Sequence, residues 1–129
     1  MKKYENFCKA LSNLKEIYNY HEPYGTVELI GLVGLFEVCF EQSWKAMKEI
    51  LLEQGFEEGQ TGSPRMILKT AFQAGMLKDE KIWLQALASR NNVAHAYNQG
   101  VALDIIRDTK ETYYNMFLAL KKTIDEKWI

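Results

Sequence analysis

TVELIGLVGLFEVCFEQSWKAMKEILLEQG, residues 26–55, is the longest and most hydrophobic stretch of the chain, and its periodicity decides the fold. Leu29, Leu32, Val33, Phe36, Cys39, Phe40, Trp44, Met47 and Leu51 recur at helical spacing and form one apolar stripe. Thr26 reads as the N-cap and Gly55 as the stop, so one helix is expected from Thr26 to about Gln54. Val27, Ile30, Leu35 and Val38 widen the stripe to well over half the circumference near its start. In a bundle this small no helix is fully central, so the surplus is expected to be a dimer or partner face. Gly31 and Gly34 fit that expectation, because a missing side chain lets another backbone come close.

The flanking sequence repeats the same period. Tyr4, Phe7, Cys8, Leu11, Leu14 and Tyr18 predict a helix over Lys2 to Tyr20, ended by His21-Glu22-Pro23-Tyr24-Gly25. A polar loop from Glu57 to Ser63 follows the long helix. Ser63-Pro64 then opens a short helix to about Ala74, closed by Gly75. Asp79 caps a helix that carries Ile82, Trp83, Ala86, Leu87 and Arg90. The last helix runs from about Asn98 or Val101 to Lys127, with Ala102, Ile105, Ile106, Thr109, Tyr113, Met116, Phe117, Leu120 and Ile124 as its stripe. No stretch alternates with the two-residue period of a strand. The expected fold is all-α: an antiparallel, up-down four-helix bundle with one additional short helix, in a single domain over residues 1–129.

Composition narrows the function. A chain of 129 residues with 47% hydrophobic residues and two prolines is long enough for a real core and is not disordered. Glu28, Glu37 and Glu41 interrupt the greasiest run, so no membrane span is expected. Met1-Lys2-Lys3 leads into an amphipathic helix rather than an apolar block, which argues against a signal peptide. Cys8 and Cys39 lie on apolar helical faces and read as free thiols of a cytoplasmic protein. Net charge is −1, without the excess of cations usual in nucleic-acid binders. Eight Glu against Lys45 and Lys48 give residues 22–58 a local −6 and leave +5 for the remainder. Uneven solvated charge accounts for that split without any function.

The chemistry is concentrated in Arg90-Asn91-Asn92-Val93-Ala94-His95-Ala96-Tyr97. Arg90 continues the apolar stripe of its helix, and a guanidinium facing a core is costly unless it is paired. It reads either as an ion pair with a Glu of another helix or as an anion site, with His95 placed to move a proton. On an unbroken helix, Arg90, His95 and Tyr97 point apart by about 140° and 200°, so they cannot converge on one target. Either the helix ends near Asn91-Asn92, where asparagine tolerates a left-handed turn, or a second copy of the chain completes the site.

Several other chemistries have no sequence support. There is no Gly-rich phosphate loop, no His-Glu-x-x-His and no Cys-x-x-Cys. Gly62-Ser63 lacks the following aspartate pair of polymerase-type nucleotidyltransferases. Glu37 and Glu41, one turn apart, have no matching Glu-x-x-His for a shared metal, and read as surface groups or as partners of Arg90 or Lys45. No cofactor or metal is expected.

Arg90-Asn91 followed by His95 and Tyr97 resembles the signature of HEPN domains. Phe36-Glu37, Glu41, Trp44-Lys45, Gly55, Ser63-Pro64-Arg65, Ala71, Gly75 and Trp83 resemble, in order, the HEPN subgroup of nucleotidyltransferase substrate-binding proteins. Glu41-Gln42-Ser43-Trp44-Lys45 departs from that subgroup's usual Glu-Leu-Ala-Trp-Lys run. The resemblance implies a dimerising helical bundle that partners a minimal nucleotidyltransferase. It also implies relatives that are metal-independent endoribonucleases, the toxins of toxin–antitoxin pairs, with a composite site at the dimer interface. Carried onto this chain, Arg90 stabilises the phosphorane, His95 is general acid or base, Asn91 positions the RNA, and Tyr97 accepts AMP from the partner. The alternative is a non-catalytic subunit that presents nucleotide or substrate to the nucleotidyltransferase. The Arg90, His95 and Tyr97 set favours the ribonuclease, and the near-neutral charge favours the subunit.

Overall fold

The computed structural model describes residues 2–56 and 62–129. Most of the loop expected between Glu57 and Ser63 therefore lies outside the described residues. The helices are α1 (Lys2–Leu14), α2 (Thr26–Glu53), α3 (Pro64–Gln73), α4 (Glu80–Asn91), α5 (Gln99–Asp108) and α6 (Tyr114–Lys127). Short 3-10 turns follow α1 (Lys15–Asn19) and α4 (Val93–His95), and a π-helical turn (Thr109–Tyr113) joins α5 to α6 in one continuous rod. No strand occurs among the described residues, so the chain is all-α.

Local chemistry accounts for the boundaries. Ser63 Oγ accepts from the Met66 amide at 3.3 Å, with Pro64 at the first helical position, and Asp79 Oδ1 accepts from the Ile82 amide at 3.2 Å. At the end of α2, Gly55 takes φ +88°, and the amides of Phe56 and Gly55 return to the Leu51 and Leu52 carbonyls. Gly75 does the same for α3 with φ +87°. Both are left-handed glycine stops that satisfy the last carbonyls of a helix. The start of α2 differs from expectation. Gly25, not Thr26, is the N-cap, and its amide donates to Glu28 Oε1 at 2.8 Å. The Glu three residues in does the capping, which leaves Thr26 inside the helix.

The core is built on α2. Phe36 stacks on Tyr113 with ring centroids 5.2 Å apart, Phe40 lies 6.2 Å from Trp83, and Phe117 meets both Trp83 (5.5 Å) and Phe7 (6.2 Å). The Lys3 backbone amide donates to Glu49 and the Tyr4 hydroxyl to Asp125, whereas Tyr18 donates to the Lys110 carbonyl, so α1 runs against both α2 and the α5–α6 rod in the opposite sense. The expected stripe of α1 shifts at its end: the 3-10 turn buries Ile17 and leaves Tyr18 exposed. The π-helical turn frees backbone carbonyls, and the Tyr18 hydroxyl takes that of Lys110 at 2.7 Å.

Cys39 is fully buried on α2, and burial pushes its thiol well above the ordinary range, while Cys8 is half-buried. A thiol reagent added to the native protein is expected to modify Cys8 first and Cys39 only on unfolding. Equal rates at the two sites would mean that the α2 core opens readily.

Candidate functional site

The helix carrying Arg90 does end where the corner needs it to. α4 stops at Asn91, Asn92 is its C-cap, and Val93–His95 form a 3-10 turn before α5. The turn is made without a left-handed residue: Asn92 has φ −87°, and no non-glycine residue has positive φ among the described residues. The chain tightens from α to 3-10 pitch instead of reversing hand. Asn98 then caps α5, accepting from the Gly100 and Val101 amides at 2.9 and 3.3 Å.

Arg90 is paired. Its Nε donates to Glu41 Oε1 on α2, and its Nη1 donates to Asn91 Oδ1 at 3.1 Å. The other Glu41 oxygen accepts from the Trp44 indole at 3.2 Å. Of the partners open to a core-facing guanidinium, the structure selects the interhelical Glu. The pair is half-buried, with side-chain exposures of 30% for Arg90 and 23% for Glu41. Solvent access and its modest geometry keep its contribution near the surface value, about 1 kcal/mol. A double-mutant cycle of Arg90→Ala and Glu41→Ala, read by urea unfolding, is expected to show coupling of about that size. Coupling indistinguishable from zero would mean the two groups are merely neighbours.

Next to Arg90, Ser89 shares a 2.7 Å hydrogen bond with the Tyr113 hydroxyl. Burial pushes the Tyr113 phenol above its ordinary range, so it stays protonated. This bond fixes the end of α4 to the π-helical turn.

His95 and Tyr97 project from the corner into solvent. Their rings meet edge to face with centroids 6.3 Å apart, a contact that the 3-10 turn allows and a continuous helix would forbid. Tyr97 is 84% exposed. Thus the structure joins Arg90 to Asn91 and His95 to Tyr97. Among the described residues no side-chain hydrogen bond orients the His95 imidazole, and no cluster of three or more His, Cys, Asp or Glu side chains forms.

A groove of about 350 Å³ lies beneath Tyr97, lined by Tyr24, Thr26, Leu29, Ile30, Ala96 and Gln99. Tyr24 and Gln99 escape sequence reasoning, because residues 75 positions apart come together only through the packing of α2 against α5.

The corner between α4 and α5 thus carries Arg90 tied to Glu41 of α2 and, on its exposed side, His95 against Tyr97. Comparison with known proteins makes the class specific. The chain belongs to the nucleotidyltransferase substrate binding protein-like family, whose model matches residues 2–126. It is similar to a protein of Thermus thermophilus of known crystal structure, at 31% identity and a TM-score of 0.75, over 88% of this chain and 94% of that one. No curated protein matches it. Membership implies a nucleotidyltransferase partner. No helix among the described residues is long and apolar enough to cross a membrane.

Proposed function

We propose that this chain is a non-catalytic subunit that presents nucleotide or substrate to a nucleotidyltransferase, on a bundle of HEPN type. The observation that carries this reading is the Arg90–Glu41 pair. A carboxylate on the guanidinium cancels the local charge that a polyanionic RNA would need, and the net charge of −1 supplies no substitute. A family of substrate-binding proteins for nucleotidyltransferases supports the same role.

The subunit acts as a homodimer. Val27, Ile30, Gly31, Gly34 and Val38 fall within about 100° of arc on α2. Val27, Ile30 and Val38 are 85%, 60% and 53% exposed. Such a stripe supports a second copy packed along it, and Glu41 lies on the continuation of the same face, beside Arg90.

A second reading has its own observation. His95 and Tyr97 are exposed and in ring contact at the corner that also carries Arg90 and Asn91. In a metal-independent ribonuclease toxin the RNA 2′-hydroxyl attacks the adjacent phosphorus and the bond to the 5′-oxygen of the next nucleotide breaks, giving a 2′,3′-cyclic phosphate and a free 5′-hydroxyl. Arg90 stabilises the phosphorane, His95 takes the 2′-hydroxyl proton or gives one to the leaving 5′-oxygen, and Asn91 holds the strand. Tyr97, accessible as it is, takes AMP from ATP through the partner nucleotidyltransferase, its phenol oxygen displacing pyrophosphate, and the adduct silences the toxin.

One experiment separates the readings. Purified protein, checked by intact mass for an adduct on Tyr97, is incubated with labelled RNA in excess chelator beside His95→Ala. It is also assayed for a complex with a nucleotidyltransferase. A complex without cleavage supports the subunit. Cleavage by the parent and not by His95→Ala overturns it in favour of the ribonuclease.

A further inference from the structure

Tyr24 is held more firmly than a loop tyrosine needs to be. Its hydroxyl accepts from Lys110 Nζ at 2.8 Å, and the same ammonium donates to the Tyr20 carbonyl at 2.6 Å and sits 5.4 Å from the Tyr24 ring centroid. Lys110 belongs to the π-helical turn, so the loop between α1 and α2 is tied to the middle of the C-terminal rod. The effect is a fixed aromatic wall on one side of the groove under Tyr97.

Tyr97 lines the same groove, a large ring 84% exposed and in edge-to-face contact with His95. Leu29, Ile30 and Ala96 give the groove an apolar lining beside the two tyrosines. Thr26 and Gln99 add a hydroxyl and a carboxamide to its lining, each able both to donate and to accept. Its volume of about 350 Å³ is that of a small-ligand site. Two tyrosine rings, an apolar lining and a hydroxyl and carboxamide beside them suit a planar heterocycle that carries donors and acceptors on its rim.

We infer that this groove binds the base of a nucleotide, with Tyr24 as the fixed stacking wall, Tyr97 as the mobile one, and Thr26 and Gln99 hydrogen-bonding the base edge. The site rests on the subunit reading above and gives it a ligand class: a nucleotide held by its base. Ile30 lies both in this groove and on the α2 stripe proposed as the dimer seam, so a second copy of the chain that covers the groove is the competing occupant.

The test is calorimetric titration of the full chain with AMP and with ribose 5-phosphate, which has the sugar and phosphate but no base. AMP is expected to bind, and ribose 5-phosphate to bind at least about tenfold more weakly, the size of one base–aromatic stack. Tyr24→Leu is expected to weaken AMP about tenfold and leave ribose 5-phosphate unchanged, while Tyr24→Phe keeps the ring and stays near the parent. Where Tyr24→Leu fails to fold, Tyr97→Leu carries the same test, because Tyr97 supports no core packing. Equal binding of AMP and ribose 5-phosphate, or parental AMP affinity in the folded leucine variant, overturns the inference. So does a dimer that binds no AMP. If such a dimer still forms a complex with the nucleotidyltransferase, the subunit reading survives alone. If AMP binds at the groove and no complex forms, the subunit reading fails and the base site stands.

Discussion

Gly34→Glu is expected to give a chain that folds normally and runs as a monomer in light scattering. A Cβ built at Gly34 meets nothing within 4 Å in the protomer, so the substitution creates no clash inside the chain. Glycine within a helix costs about 1 kcal/mol relative to a good helix former, so the protomer is expected to keep or gain stability. The same change on the stripe of Val27, Ile30 and Val38 places a carboxylate among apolar side chains that we propose pack against a second copy. A two-fold interface presents the same patch twice, so the introduced charge is desolvated in both copies with no cation to meet it. Native helical content together with a halved mass is the expected pair of results. A dimer that persists would move the seam off this face of α2.

The sequence shows most of the fold because most of the determinants are local. The α2 stripe, the left-handed stops at Gly55 and Gly75, and the Ser63 and Asp79 caps each depend on residues within one or two turns. The departures come from places where two local solutions compete. Thr26 and Gly25 both suit an N-cap, and the Glu28 side chain decides by reaching the Gly25 amide. Tyr18 and Ile17 exchange places because the last turn of the first helix tightens to 3-10 pitch. The π-helical turn leaves no trace in the stripe, since Thr109 and Tyr113 are four apart, as in an α-helix. At the site, the end of α4 at the Asn91-Asn92 pair was readable, and so was the need of Arg90 for a carboxylate. That Glu41, not Glu37, holds Arg90 depends on how α4 crosses α2. The groove is further still from the sequence: Tyr24 and Tyr97 line one cavity only once the loop before α2 and the corner between α4 and α5 have packed together.

Phe36→Ala is expected to destabilise the protein by about 3–5 kcal/mol, the usual cost of removing a buried ring whose cavity does not collapse. Phe36 has no solvent exposure and touches Tyr113, Phe40 and Phe117, so neighbours surround the vacated space on several sides. For a chain of this length the loss lowers the midpoint of thermal unfolding by roughly 10–20 °C. Phe36→Leu keeps most of the volume and is expected to cost only about 1–2 kcal/mol. The ring matters to the corner as well as to the core. It stacks on Tyr113, Tyr113 holds Ser89, and Ser89 is the residue before Arg90. Loosening Tyr113 therefore frees the end of α4 on which Arg90 and Asn91 are placed. Below its melting temperature, Phe36→Ala is thus expected to show faster amide exchange at residues 88–92 than Phe36→Leu, beyond what its lower global stability explains. Urea unfolding and exchange read the two effects separately. A cost below about 1 kcal/mol would show that the core refills the cavity. Unchanged exchange at those residues would show that the corner stands on the Arg90–Glu41 pair and the Asn98 cap, independently of the aromatic core.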